Sequence, residues 1–200
     1  YLKGKKIIAF GAIVIVGSPF IGDLSKFFEI FTNPYFAYQA RPGLYRPLTI
    51  ASYSLNAFMF GQSPAGFHVV NIFLHALASF LVFVLIYRLS DKAVPIGEAD
   101  RGSSIRMRRI ETFTGFLFFM FLPIHVEAVT SIVGRAEILS MLFTVSALIF
   151  TLDKKYMLAS GVFFLGLLSK EMAVVFLPIW LFLEFYVGKE AGKGVEIWNL

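Results

Sequence analysis

Eight ionisable side chains stand beside or within long apolar runs of this chain: Arg46, His68, His75, His125, Glu127, Arg135, Lys170 and Glu171. An ionisable group at the depth of a hydrocarbon layer is costly, so the protein must use it or pair it. In Pro123-Ile124-His125-Val126-Glu127, an imidazole that titrates near neutral pH stands two residues from a carboxylate. That carboxylate can orient the ring, accept a proton or bind a metal; the same pair could equally cap a helix at an interface. In Gly134-Arg135-Ala136-Glu137, Arg135 can clamp a phosphate through two parallel hydrogen bonds, while Glu137 can pair with it and favour the start of a helix. In Ser169-Lys170-Glu171, Lys170 offers a point charge to a phosphate or diphosphate, or both charges of this tight break simply reach for water. Arg46, in Tyr45-Arg46-Pro47-Leu48-Thr49, can bind an anion or pin its loop.

The elements that must position these groups are membrane-like. Hydrophobic residues make up 58% of the 200 and charged residues 16%, with 24 phenylalanines; the mean hydropathy is +0.75. That is more apolar and less charged than soluble domains are. Cysteine is absent, which excludes a disulfide framework and thiolate chemistry. The net charge of +5 is not a nucleic-acid signature, because the basic residues sit mostly in loops between apolar runs. There they orient a membrane protein and meet anionic lipid. The phosphate-binding loop, the dinucleotide fingerprint, the H-E-x-x-H motif and cysteine zinc sites are all missing. The single histidines lack the spacing of a metal cage. The chain opens YLKGKK and ends at Asn199-Leu200, without Met or a cleavable leader pattern, and reads as a piece of a longer protein.

Residues 1–65 read as a first external or luminal loop region. Within it, residues 7–22 are apolar but fall short of the roughly 20 residues a crossing helix needs. They form either a short first span or a segment lying at the interface. DLSKFFEIF reads as a short amphipathic helix with Asp23 as N-cap and with Leu24, Phe27, Phe28 and Phe31 on one face, laid on the membrane surface. The proline- and aromatic-rich stretch that follows, through residue 65, suits a loop at headgroup level.

Residues 66–188 read as a transmembrane helical bundle with spans near 66–88, 110–124, 138–152, 156–168 and 172–187; residues 189–200 begin a cytoplasmic loop. The first span reaches about 34 Å at 1.5 Å per residue. Its His68, Asn71, His75 and Ser79 are spaced 3, 4 and 4, one narrow stripe that should face protein. That stripe could line a headgroup pocket or hold helices together. Short loops on one side carry Arg88, Lys92, Arg101, Arg106, Arg108, Arg109, Lys154, Lys155, Lys189 and Lys193, against Arg135 and Lys170 on the other. The richer side should be cytoplasmic. The 23–65 segment, the His125–Glu127 link and Ser169-Lys170-Glu171 then share the opposite face.

Three blocks carry a resemblance. YRPLTIASYSLNAFMFG with PAGFHVVNIFLHALASFLVF, then PIHVEAVTSIVGRAEILSMLF, then LLSKEMAVVFLPIWLF follow in order across roughly residues 24–187. As a set they resemble the membrane half of the transmembrane-and-tetratricopeptide-repeat family of protein O-mannosyltransferase-like proteins, which are multi-spanning glycosyltransferases of GT-C type. The resemblance implies an all-α polytopic bundle and transfer of a sugar from a polyprenyl-phosphate carrier to protein. In eukaryotic members the carrier is dolichyl-phosphate mannose, the acceptors are Ser and Thr hydroxyls and the place is the ER lumen; prokaryotic relatives would use the outer face of the cytoplasmic membrane. Arg46, His68, Asn71, His75, His125, Glu127, Arg135, Glu137, Lys170 and Glu171 match the family's polar motif positions. The family's acidic pair in its first external loop, home of its catalytic base, has no match here: Asp23 stands alone, and the pair is expected just upstream of Tyr1. A histidine usual three residues before His125 is replaced by Leu122. Tetratricopeptide repeats are expected in the full-length protein and are not among these 200 residues.

The reaction so implied needs a carboxylate to draw the acceptor's proton, cations to neutralise the departing phosphate and an apolar groove for the prenyl tail. Arg46, Arg135 and Lys170 would supply cations, with His68, Asn71 and His75 beside them. Glu127 and His125 would assist at the base, and Glu137 and Glu171 would orient. A divalent metal is compatible but not required. Two rival readings use the same charges. A transporter or flippase subunit would show paired repeats and broken mid-membrane helices, and the chain carries no convincing internal repeat. A membrane scaffold would keep its polar stripe for folding alone.

Overall fold

The computed structural model describes residues 20–32, 45–93, 101–123 and 125–190, and among these it is all helix, with no strand. The candidate span over 7–22 falls almost wholly outside the described residues, as do residues 33–44 of the expected loop and most of 189–200. Among the described residues seven α-helices follow in order: α1 Pro47–Phe60, α2 Pro64–Ala93, α3 Arg101–Phe121, α4 His125–Thr130, α5 Arg135–Leu152, α6 Tyr156–Ser169 and α7 Phe176–Glu190. The described residues also include 3-10 turns at Leu24–Phe31, before α1, and at Ile132–Gly134 and Glu171–Val175, between helices.

Helix α1 corrects the expectation of a loop through residue 65. Pro47 occupies the first helical position, where its missing N–H costs nothing and its fixed φ suits the helix. No glycine or proline then interrupts the run before Gly61, which takes φ +67 and ends it. The aromatic residues that suggested headgroup contact divide: Tyr53 is buried, while Phe58 and Phe60 are exposed.

Asp23 caps the first 3-10 turn by accepting from Ser25 N at 3.0 Å. The tighter turn changes which face goes inward. With three residues per turn, Phe27 and Ile30 align and pack on α1, while Phe28 is 82% exposed and Phe31 also faces out. A fully α-helical DLSKFFEIF would have put Phe28 and Phe31 beside Phe27 instead.

Helix α5 is the centre of the bundle, packed along α6 and α2, while α2 also packs on α3. Among the described residues two helical stretches, Pro64–Ser90 and Ile132–Leu152, are long and apolar enough to cross a membrane; little of the first is covered by the rest of the chain, and more than half of the second is. On α2 the residues Val69, Ile72, Phe73 and Phe80 face outward, and Phe67, Asn71, Ala78 and Ser79 face inward. One core cluster joins Phe20, Ile21 and Ile30 to Ile50, Tyr53, Ala57 and Phe67. A second joins Ala147 and Leu148 to Phe176, with Leu85 and Trp180 packed against it.

A chain reversal lies at each end of α5. Helix α5 ends in paired bonds, Lys155 N to Phe150 O and Lys154 N to Thr151 O, both 2.9 Å, with Lys154 at φ +58. This left-handed cap turns the chain straight back into α6. At the other end Gly134 lies against the backbone of Ala128, and a Cβ there would overlap that carbonyl. Glycine at 134 therefore lets the short helix α4 fold onto the start of α5.

Candidate functional site

The first turn of α5 supplies the anchor. Arg135 is fully buried. Its Nε donates to Asn71 Oδ1 at 2.7 Å, Nη2 to Asn56 Oδ1 at 2.8 Å and to Phe67 O at 2.9 Å, and Nη1 to Ser52 O at 3.3 Å. Its guanidinium also lies over the rings of Tyr53 and Phe67, 4.9 and 5.4 Å from their centroids. A planar fork with five donors can satisfy oxygens on two helices at once. The side chain is thereby engaged with protein oxygens.

Asn71 completes the joint, since its Nδ2 donates to Ser131 O at 3.0 Å. Tyr53 donates its hydroxyl to Ile132 O at 2.7 Å, and Thr49 donates to Ser169 O at 2.9 Å. Thus α1 is bonded both to the turn before α5 and to the end of α6. Thr49, Ser52 and Asn56 belong to this joint, yet none was singled out in the sequence. The spacing of Thr49, Tyr53 and Asn56, four and then three, would have revealed a helical face. It was hidden by the prolines around it.

Just past the joint come two ion pairs. Arg46 holds Glu171 side-on, with Nε to Oε2 at 3.1 Å and Nη2 to Oε1 at 2.6 Å. Lys170 Nζ donates to Glu137 Oε1 at 2.6 Å. Hydrogen bonds from Arg46 hold the Glu171 carboxyl below the usual carboxylate range, and Lys170 adds a smaller pull in the same direction. Glu137 pairs with Lys170 and not with Arg135, its sequence neighbour.

The histidines divide. His75 and His125 lie near each other with tilted rings, centroids 5.3 Å apart, and Phe119 is 4.4 Å from His125. His75 Nε2 lies 3.4 Å from Met120 O. His125 Nε2 is buried and finds no hydrogen-bond partner among the described residues. Burial first, and the nearby His75 second, push its pKa below the ordinary 6.5. Leu122, where the family usually has a histidine, accepts the His125 backbone N–H at 3.0 Å. Glu127 is exposed on α4. His68 is half-buried on α2 and is not drawn into the His75–His125 contact.

The bonds of the joint link the starts of α1, α2 and α5 to the end of α6, and the two ion pairs lie beside them. The far end is different. There Arg88 pairs with Asp153, and an apolar groove of about 530 Å³ is lined by Phe83, Tyr87, Arg109, Ile110 and Phe113. No three His, Asp or Glu side chains converge as metal ligands among the described residues.

No family model matches the chain, and no solved structure does. Curated sequences do. The chain is 29% identical over 177 residues to the protein O-mannosyl-transferase F38B6.6 of Caenorhabditis elegans, a match covering 86% of this chain and 24% of that protein. It is 38% identical over 117 residues to the human protein O-mannosyl-transferase TMTC1, covering 56% of this chain and 12% of the relative. With Tmtc3 of Drosophila melanogaster it shares 34% over 107 residues, 52% of this chain and 12% of the relative. The chain thus spans about a quarter or less of the length of these relatives. Similarity to several such proteins from nematode, fly and human supports assigning the chain to a GT-C-type protein O-mannosyl-transferase family.

Proposed function

We propose that this chain is part of the membrane portion of a glycosyltransferase of GT-C type. It moves a sugar, mannose by the names of its relatives, from a polyprenyl-phosphate donor to a protein hydroxyl on the non-cytoplasmic side of a multi-spanning bundle. Residues 66–188 contribute spans to that bundle, and the surface formed with α1 and α4 is the mouth where donor and acceptor meet. The membrane is the cytoplasmic membrane in a prokaryote and the ER membrane in a eukaryote.

What supports this reading is that Arg46 and Lys170 stand paired beside the joint of α1, α5 and α6 in a chain similar to protein O-mannosyl-transferases. As the sugar–oxygen bond breaks, negative charge grows on the phosphate, and Arg46 and Lys170 stand ready to stabilise it. Glu127 is exposed where an acceptor hydroxyl can approach. It assists proton removal, with His125 orienting the acceptor. The principal base is the acidic pair that the family resemblance implies. His68 and His75 flank the headgroup, Asn71 and Arg135 hold the wall rigid, and Glu137 and Glu171 position the cations. The outward apolar face of α2 gives the prenyl tail a hydrocarbon surface.

The test is sugar transfer from a radiolabelled polyprenyl-phosphate mannose in membranes carrying the full-length protein. Glu127→Gln and Arg46→Ala should each lower transfer by about tenfold or more while the protein stays folded and membrane-inserted. Unchanged transfer in both variants removes the site assignment. A scaffold would show no transfer dependent on this protein at all.

A further inference from the structure

The two ion pairs share an inside-out arrangement. In each, the cation is the covered partner and the carboxylate the open one: side-chain exposure is 11% for Arg46 against 60% for Glu171, and 17% for Lys170 against 56% for Glu137. A structural pair meant to be permanent gains nothing from exposing one member to water, where screening weakens the attraction. Here the carboxylates can leave into solvent at small cost, whereas the cations, if simply uncovered, would be left charged and poorly solvated. The favourable event is therefore an exchange of anions.

The geometry also names the class of incoming anion. Arg46 grips Glu171 through Nε and Nη2, one oxygen to each, at 3.1 and 2.6 Å. Two oxygens of a phosphate ester present the same edge to the same fork. Lys170 has extended backbone, φ −162 and ψ 141, which sends successive side chains to opposite sides. Lys170 and Glu171 can thus reach different partners, Glu137 and Arg46. From these relations we infer that Glu171 and Glu137 are internal stand-ins for phosphate, seated on Arg46 and Lys170 until a phosphate ester displaces them. This inference rests on the proposed donor site and adds how that site is kept closed.

The exchange has a direction. A lipid-linked sugar phosphate is a phosphodiester with one negative charge. The lipid monophosphate left after transfer carries close to two. The seats hold the anion more strongly as the sugar departs, and the carboxylates return when the spent lipid leaves. Differential binding of this kind favours the bond-breaking step over the ground state.

The measurement is equilibrium binding of farnesyl monophosphate to the full-length protein in nanodiscs, with inorganic phosphate and farnesol as separate arms. Glu171→Gln and Glu137→Gln should each bind farnesyl monophosphate about threefold to fivefold tighter than the parent, the range expected for removing a partly exposed competitor. Arg46→Gln should bind it about tenfold more weakly. Asp23→Asn, which removes an exposed charge on the first 3-10 turn, should change nothing; an equal gain there would reveal only a field effect and would overturn the seats. The same pattern with inorganic phosphate supports the exchange with free phosphate as ligand. Its restriction to farnesyl monophosphate supports the exchange with a lipid headgroup as ligand. If Glu171→Gln does not fold, Glu171→Asp, whose shorter carboxylate reaches Arg46 poorly, should give a smaller gain, and no gain overturns the inference. No tightening in the carboxylate variants, with loss in Arg46→Gln, overturns the exchange but leaves the donor site standing. Unchanged binding in both Arg46→Gln and Lys170→Gln overturns the donor site as well.

Discussion

Arg135 Nε donates to Asn71 Oδ1 at 2.7 Å, and this contact joins the first turn of α5 to the inward stripe of α2. Around it, Ser52 and Asn56 of α1 and the Phe67 carbonyl of α2 accept from the same guanidinium. Three helices meet at one side chain. The neighbouring ion pairs are positioned from this joint, because the same α1 carries Thr49, which is bonded to Ser169 beside Lys170.

Arg135→Lys should therefore be strongly destabilising although it keeps the charge. A lysine ammonium cannot reach oxygens of two helices in one plane, and it leaves buried acceptors unpaired. The expected cost is about 3 kcal/mol, read as a lower midpoint for thermal unfolding of the full-length protein in detergent. A midpoint equal to the parent's would remove the joint from this account.

Gly134→Ala is expected to cost about 2 kcal/mol by overpacking. The added Cβ would overlap the backbone carbonyl of Ala128, and backbone cannot rotate aside as a side chain can. The same unfolding measurement checks it. A second sign should be faster hydrogen exchange at Ser131 and Gly134, whose N–H groups donate to Glu127 O and Ser131 O at 3.0 and 3.1 Å.

Substitution at Lys154 should act in the opposite sense. This residue has φ +58 in the left-handed cap that ends α5, a conformation that costs a lysine and not a glycine. Lys154→Gly should stabilise by about 0.5–1 kcal/mol, seen as a higher unfolding midpoint with unchanged sugar transfer.

The His75–His125 pair sets a pH dependence. Burial and then His75 depress the pKa of His125 below 6.5, so the folded protein holds this ring neutral where the unfolded chain would protonate it. In the window between the depressed value and 6.5 the unfolded state binds more protons. Stability contributed here falls as pH drops through that window and is level above it. Histidine NMR titration should place the His125 midpoint below 6.5, and His75→Gln should raise it without restoring it fully, because burial is the larger cause. A midpoint at or above 6.5 in the parent would contradict the geometry.

The helical periodicity of α2 was legible from residue types alone. His68, Asn71, His75 and Ser79 recur at helical spacing, and Asn71 and Ser79 are indeed fully buried while apolar residues of the same helix face out. The N-cap at Asp23 was equally readable, because a short carboxylate beside free N–H groups is a local arrangement. Helix α1 was not, since prolines at 34, 42 and 47 and a run of aromatics look like loop, and only contacts with Phe20, Ile132 and Ser169 reveal its inward face.

The charged groups divide along the same line. The sequence determined that cations and carboxylates stand at the ends of apolar runs, and that hydrocarbon beside them would demand partners. It could not say which partner each would take. Glu137 lies two residues from Arg135 yet pairs with Lys170, and Arg46 crosses 125 positions to reach Glu171. Charge, helical period and capping act over a few neighbouring residues, so they can be read along the chain. Burial and pairing depend on which helix surfaces meet after the chain has folded. Only the tertiary structure could therefore put Arg135 inside as a joint and leave Arg46 and Lys170 covered beneath more exposed carboxylates.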